Sequence, residues 1–255
     1  MNRWFTSFCR KIIVPIAYKR GRNLIKNGFK LNEKMVEFTK KNTLLNTEEL
    51  SKLFIYKDES WNSVKNIYEL MWNDLFKNKF LQYQSNEIYQ DNFCKNTKVL
   101  FNKNELVCKC SGKDNDWIFL LIDKDLKDDY LVEFNAILQH QNTEFQLAFN
   151  YNSIGCRYRF NLVNNSRLSF DVINDGFFYN NIYSIPFSLE MNVLYNFKVV
   201  VKNNTYSYIV NDVCILSVID QNKIIKKGKP VFILWDSKKS NIDVTYKDIN
   251  IYYLK

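Results

Sequence analysis

From about residue 93 onward, apolar and polar residues alternate with a period of two, in short runs separated by Asn, Asp, Ser and Lys. Alternation of this kind puts successive side chains on opposite faces of a strand, so the pattern predicts an all-β body. The runs cover 98–100 and 105–110, an opening hairpin across 102–104, then 117–123, 130–139, 145–150, 155–162, 167–172, 195–202, 205–210, 213–219, 230–235 and 243–254. Phe197, Val199 and Val201 point one way and Lys198 and Lys202 the other; Tyr206, Tyr208 and Val210 repeat the pattern. A dozen short strands with turn residues between them and no helix-length interruption predict an antiparallel β-sandwich.

Upstream the period changes. Between residues 45 and 92, Thr47 and Ser60 are candidate N-caps, and Glu48 and Glu49 suit a helix N-terminus. Trp61, Val64, Tyr68, Met71, Trp72, Leu75 and Phe76 recur at three- and four-residue steps, which predicts a helix with one apolar stripe, packed on the sandwich or on a partner. Residues 1–44 form a third region, basic and amphipathic. The expected organisation is therefore a basic N-terminal segment (1–44), a helical region (45–92) and the sandwich (93–255).

Composition sharpens two of these readings. With 255 residues, 46% hydrophobic and 16% aromatic, the chain is long and apolar enough for one full core. Only 6 Gly and 3 Pro are present, so the tight turns fall to Asn and Asp. The net charge of +9 is not spread evenly: residues 1–44 hold eleven Lys and Arg against Glu33 and Glu37, and the remainder is neutral. A basic segment on a neutral body speaks for a localised electrostatic contact and against a broad nucleic-acid face, so nucleic acid is not the expected partner.

What the basic segment meets depends on its apolar residues. Trp4, Phe5 and Phe8 are interleaved with Arg10, Lys11, Lys19, Arg20 and Arg22, and the apolar run 12–18 is broken by Pro15. That run is too short to span a bilayer, which needs about 20 residues, and it lacks the cleavage site of a signal peptide. Two readings stand: the segment lies on an anionic membrane surface, or it forms a helix docked on the body with its cations solvated. The six cysteines are scattered, and the close pair Cys108 and Cys110 shares one strand face. With a single histidine, His140, no zinc-type ligand set is present, and buried reduced thiols in the cytoplasm are expected.

Three runs carry a resemblance. "YNFKVVVKNNTYSYIVNDVCILSVI" looks like the late hairpin of the concanavalin A-like lectin and glucanase superfamily, with an Asn-Asp turn where relatives carry Asn-Gly. "KGKPVFILWDSKKSNIDVTYKDINIYYL" is similar to the closing strand pair, and "LFNKNELVCKCSGKDNDWIFL" to the first hairpin and its return. The resemblance covers about residues 93–255 and implies a jelly-roll sandwich. It also implies carbohydrate binding or cleavage on one sheet face, or protein and calcium contacts at the rim. A retaining glucanase needs two carboxylates about 5 Å apart. The strand with Glu133 and Asn135 on one face does not supply them. For calcium only Asp171 and Asp175 share a loop, and no cofactor is expected.

The candidate glycan-binding residues are therefore Arg157 and Arg159, side by side on one strand face opposite Cys156, Tyr158 and Phe160, with Trp117, Trp235 and Tyr179 as stacking surfaces. Paired arginines would suit an acidic sugar. The competing assignments are a salt-bridged face for the arginines and core positions for the tryptophans. The functional expectation is a non-catalytic, lectin-like protein, an accessory to surface-polysaccharide assembly at a membrane. A glycan-active enzyme with dispersed acid and base and a protein-interaction scaffold are the alternatives.

Overall fold

The computed structural model describes residues 22–33, 36, 54–59, 64–66, 97–102, 105–110, 117–122, 129–153, 155–174, 177–236 and 241–254. A short helix, α1, spans residues 22–27. It leads into β1 (Phe29–Leu31), followed by β2 (Phe54–Glu59), β3 (Val64–Asn66), β4 (Thr97–Asn102), β5 (Glu105–Cys110), β6 (Trp117–Ile122), β7 (Tyr130–Leu138) and β8 (Thr143–Ser153). The chain continues as β9 (Cys156–Val163), β10 (Arg167–Asn174), β11 (Phe177–Pro186), β12 (Leu194–Lys202), β13 (Thr205–Val210), β14 (Val213–Asp220), β15 (Lys229–Asp236) and β16 (Ile242–Leu254).

All pairings are antiparallel and build two sheets. The larger runs β1-β14-β13-β12-β7-β16-β5-β4, with β2 on the C-terminal half of β16; the smaller runs β11-β10-β9-β8-β15-β6-β3. Alternating side chains from both inner faces fill the space between them. At one end Phe134, Phe145, Phe197, Phe232 and Tyr246 interlock, with centroids 4.8 to 6.2 Å apart. Further along, Phe149, Tyr158, Phe160, Phe170 and Tyr206 form a second aromatic group. Asp220, also fully buried, is satisfied by the Tyr158 hydroxyl and by the amides of Asn222 and Ile224.

Asparagine makes the turns. The two-residue loops 203–204 and 211–212 have positive φ at both positions: 48° and 61° at Asn203 and Asn204, 45° and 65° at Asn211 and Asp212. These hairpin turns match strand twist only when both central residues are left-handed, which Asn and Asp tolerate best after Gly. Asn165 (φ 46°) goes further: its amide donates to the Leu189 carbonyl and accepts from the Leu189 amide, both at 2.7 Å.

Two described stretches depart from the helical region expected over 45–92. The described parts of 45–92 are strands and not helix: β2 extends the edge of β16, and β3 extends the edge of β6. At Val64 long-range pairing overrides the three- and four-residue spacing. Thr47, Ser60 and the stripe other than Val64 lie outside the described residues. The sandwich also recruits residues before 93, because β1 pairs with β14 (Phe29 opposite Asp220) and Phe29 enters the core.

The segment 22–31 joins the two sheets at one edge. While β1 extends the larger sheet, Arg22 donates to the carbonyls of Asn180 (3.3 Å) and Asn181 (2.8 Å) on β11 of the smaller sheet. The Tyr183 hydroxyl donates to the Phe29 carbonyl at 2.8 Å, and Lys26 lies 5.6 Å from the Tyr183 ring centre. Of the expected membrane-surface residues, Arg22 is thus engaged with the body, while Trp4, Phe5, Phe8, Arg10, Lys11, Lys19 and Arg20 lie outside the described residues. No helix among the described residues is long and apolar enough to cross a membrane.

Cys108 and Cys110 share the inner face of β5, and both are buried, as is Cys214. Burial pushes the Cys108 thiol far up and raises Cys214 to about 12, and a thiol held protonated is a poor nucleophile. A thiol reagent at neutral pH is expected to modify half-buried Cys156 well ahead of Cys108, Cys110 and Cys214 in the native protein. Peptide mapping that found Cys108 or Cys214 modified at the same rate would contradict this burial.

Candidate functional site

The outer face of the smaller sheet gathers most of the residues singled out from sequence. Trp117 on β6 stands opposite Trp235 on β15, and Trp235 opposite Glu144 on β8. Ala148 on β8 faces Arg159 on β9, which faces Asp171 on β10. Sheet order therefore brings Trp117, Trp235, Arg157 and Arg159 to one surface. Tyr179 does not join them: its register partner is Val172, a core residue, and its ring belongs to the interior.

A continuous polar chain crosses this face. Arg159 donates through Nε to Asp171 at 2.8 Å and through Nη1 to the Gln146 oxygen at 2.6 Å. Gln146 donates to Glu144 at 3.2 Å, and Asn161 donates to the same Glu144 oxygen at 3.1 Å. Asp171 also accepts from the Asn181 amide at 2.7 Å, and the Phe178 ring lies 4.4 Å from the Arg159 guanidinium. Every polar side chain in this chain is buried, Arg157 with them. The expected pair of arginines open to an acidic sugar is corrected here: Arg159 already meets a carboxylate of its own chain. The buried Asn161 Oδ1, beside Glu144, has no hydrogen-bond partner among the described residues.

Apolar residues flank the polar chain. Phe119, Leu121, Ala148, Tyr151, Val231 and Ile233 form a cluster of their own on this face, packed against Trp117. Trp117 stacks on Trp235 with ring centres 4.6 Å apart and planes 11° from parallel, and on Phe119 at 5.5 Å and 9°. Both indoles are half-buried, so the face combines partly exposed flat aromatics with a buried hydrogen-bonding row.

Burial raises the Glu144 carboxyl above its ordinary 4.5, and the Asp171 charge adds to the rise. The Asn161 hydrogen bond, the Arg159 charge and the Gln146 hydrogen bond oppose it. A folded-state value above the unfolded one means that folding favours the protonated acid. The stabilisation is fully present below about pH 4.5 and is lost as pH rises through the raised value. Glu144→Gln is therefore expected to stabilise the fold at neutral pH, with the gain vanishing in mild acid. Urea midpoints at the two pH values check the sign, and a variant less stable at both would contradict it.

Glu144 and Asp171 are not a directly opposed carboxyl pair, because the Gln146 amide and the Arg159 guanidinium stand between them. On the other sheet, Glu133 and Asn135 do share a face, where buried Lys198 lies 3.7 Å from Glu133 and Tyr252 donates to it at 3.0 Å. No group of three or more metal-ligating side chains occurs among the described residues. Asp171 is taken up by Arg159 and Asn181, and Asp175 lies outside the described residues.

No protein-family model matches this sequence, and no curated protein matches it either. Among solved structures, a Bacillus subtilis protein of unknown function with a galectin-like fold is similar at a TM-score of 0.51. It shares 12% identity over 62% of this chain and 86% of its own. The chain shares that galectin-like, jelly-roll sandwich fold. The Bacillus subtilis carbohydrate-binding module CBM66 resembles the jelly roll at 0.49 with 12% identity, over 62% of this chain and 92% of that one. A lichenase from a mouse hindgut metagenome resembles it at 0.45 with 11% identity, over 62% and 83%. Identities this low speak to the jelly roll alone.

Sequence reasoning missed Glu144, Gln146, Asn161 and Phe178 as members of this face. The signal for two of them was local: in Thr143–Ser153, Glu144 and Gln146 alternate with Phe145 and Leu147. Reading the strand from Phe145 left Glu144 outside it.

Proposed function

We propose that this chain is a non-catalytic, lectin-like protein that binds a glycan on the outer face of the smaller sheet. The observation that carries the reading is the stacked, half-buried Trp117–Trp235 pair beside Glu144. An indole face suits the apolar C–H face of a sugar ring. Arg159 is paired with Asp171, which favours a neutral sugar over an acidic one. The context we propose is accessory: a cytoplasmic protein held at a membrane surface during surface-polysaccharide assembly, a role that the basic, aromatic N-terminus would suit.

A glycan-active enzyme would need its acid and base elsewhere, since Glu144 and Asp171 are separated by two side chains. The burial of Arg157, Arg159, Gln146 and Asn161 favours a second reading, a protein-interaction module. A glycan-array screen of the full chain, repeated with Trp235→Ala and the milder Trp235→Phe, separates the two. The glycan reading expects a neutral-sugar ligand whose affinity falls at least about tenfold in Trp235→Ala and less in Trp235→Phe. A folded protein that binds no glycan would leave the interaction module as the better reading.

A further inference from the structure

The neutral body hides a basic segment of its own. Residues 221–228, which link β14 to β15, read Gln-Asn-Lys-Ile-Ile-Lys-Lys-Gly, with Lys223, Lys226 and Lys227 and no acid. Residues 22–31 carry Arg22, Lys26 and Lys30, again with no acid. These two segments, far apart in sequence, lie side by side. Phe29, Lys30 and Leu31 pair with Asp220, Ile219 and Val218, and the Gln221 amide donates to the Gly28 carbonyl at 2.8 Å. A Cβ at Gly28 would fall 2.5 Å from the side-chain nitrogen of Asn222.

The edge they make carries both cations and apolar side chains, with Lys30 and Leu31 on opposite faces of β1. Lys26, Lys30, Lys223, Lys226 and Lys227 are exposed. So are Leu24 (64%) and Leu31 (41%), two of the few large apolar side chains left in solvent among the described residues. Beneath them Phe29 and Ile225 are buried in the core and Ile25 and Ile224 pack against it, so the surface stands on a fixed base. Residues 1–21 lead into this edge at Arg22 and bring Arg3, Arg10, Lys11, Lys19 and Arg20 with Trp4, Phe5 and Phe8, without one acid.

We propose that this edge, formed by residues 22–31 and 221–227, is a docking surface for an anionic lipid bilayer. The lysines meet the lipid phosphates, while Leu24 and Leu31 enter the boundary between headgroups and acyl chains. Phosphate contacts on a nucleic acid would use the same cations but have no need of exposed leucines. The proposal is independent of the glycan site, which lies on the outer face of the smaller sheet.

The test is flotation of the full chain with vesicles of phosphatidylcholine alone and of phosphatidylcholine and phosphatidylglycerol in equal parts, at low and high salt. Variants carry Lys223→Gln, Lys226→Gln and Lys227→Gln together, or Leu24→Ser; all change exposed side chains, and circular dichroism confirms the fold. The wild-type chain is expected to float only with the anionic vesicles and to be released by salt. The triple variant is expected to lose on the order of a hundredfold in affinity, and Leu24→Ser about tenfold. Unchanged flotation of the triple variant would overturn the proposal. So would binding to a DNA duplex that the triple variant loses and Leu24→Ser keeps, with no wild-type flotation: the edge would then be a nucleic-acid surface.

Discussion

Replacing Arg159 by methionine is expected to cost the fold about 3–5 kcal/mol, the range found when one partner of a buried ion pair is removed. Asp171, its partner at 2.8 Å, is 1% exposed and would be left, among the described residues, with the Asn181 amide alone. Gln146 would lose its donor in the same step, so the row that crosses β8, β9 and β10 comes apart at its centre. Urea denaturation measures the loss. The double variant Arg159→Met, Asp171→Leu is expected to recover much of it, since no unpaired charge is then left in the sheet. A single-variant loss below about 1 kcal/mol would place Asp171 in water, against its burial here.

Phe134→Ala is expected to cost about as much, 3–5 kcal/mol, through lost burial and the cavity left behind. Phe134 sits on β7, the strand between β12 and β16, and is fully buried. Its ring stacks on Phe197 at 5.2 Å and 11° and meets Phe232 edge-on at 4.8 Å and 85°. Neighbours held by two β-strands on each side cannot collapse into the space. The urea midpoint should fall with an unchanged slope, and Phe134→Leu should lose only about 1 kcal/mol. Equal losses for Ala and Leu would mean that ring geometry, and not volume, is what the site requires.

Five strands are legible in the sequence to within two residues, β5, β6, β12, β13 and β16, the last even across its break at Asp248. The faces were legible as well, since Tyr158 and Phe160 point inward and Arg157 and Arg159 outward. β11 was not read. Its run, Phe-Phe-Tyr-Asn-Asn-Ile-Tyr-Ser-Ile-Pro, is interrupted at Asn181, whose φ of 51° breaks the alternation where the register against β10 shifts. That irregularity is what aims the Asn181 amide at Asp171. At β3 the helical spacing rests on Val64 alone, and pairing with the edge of β6 decides otherwise.

The candidate site was half legible for a related reason. Trp117 and Trp235 are 118 positions apart, and nothing local says that β6 and β15 are neighbours. The outward face of the two arginines is legible, but Gln146 and Asp171, the partners of Arg159, come from strands whose register is a property of the whole sheet. Residue types gave the chemistry available; pairing order decided which groups neutralise one another.

The edge pairing of β1 also sets a schedule. Phe29 is synthesised well before its partner Asp220. At about 5–20 residues per second, the wait is roughly ten to forty seconds. For most of that interval, until Asn180 and Asn181 are made, Arg22 has neither carbonyl to bind. Any partner that recognises it unpaired has its opportunity during synthesis, before the jelly roll closes.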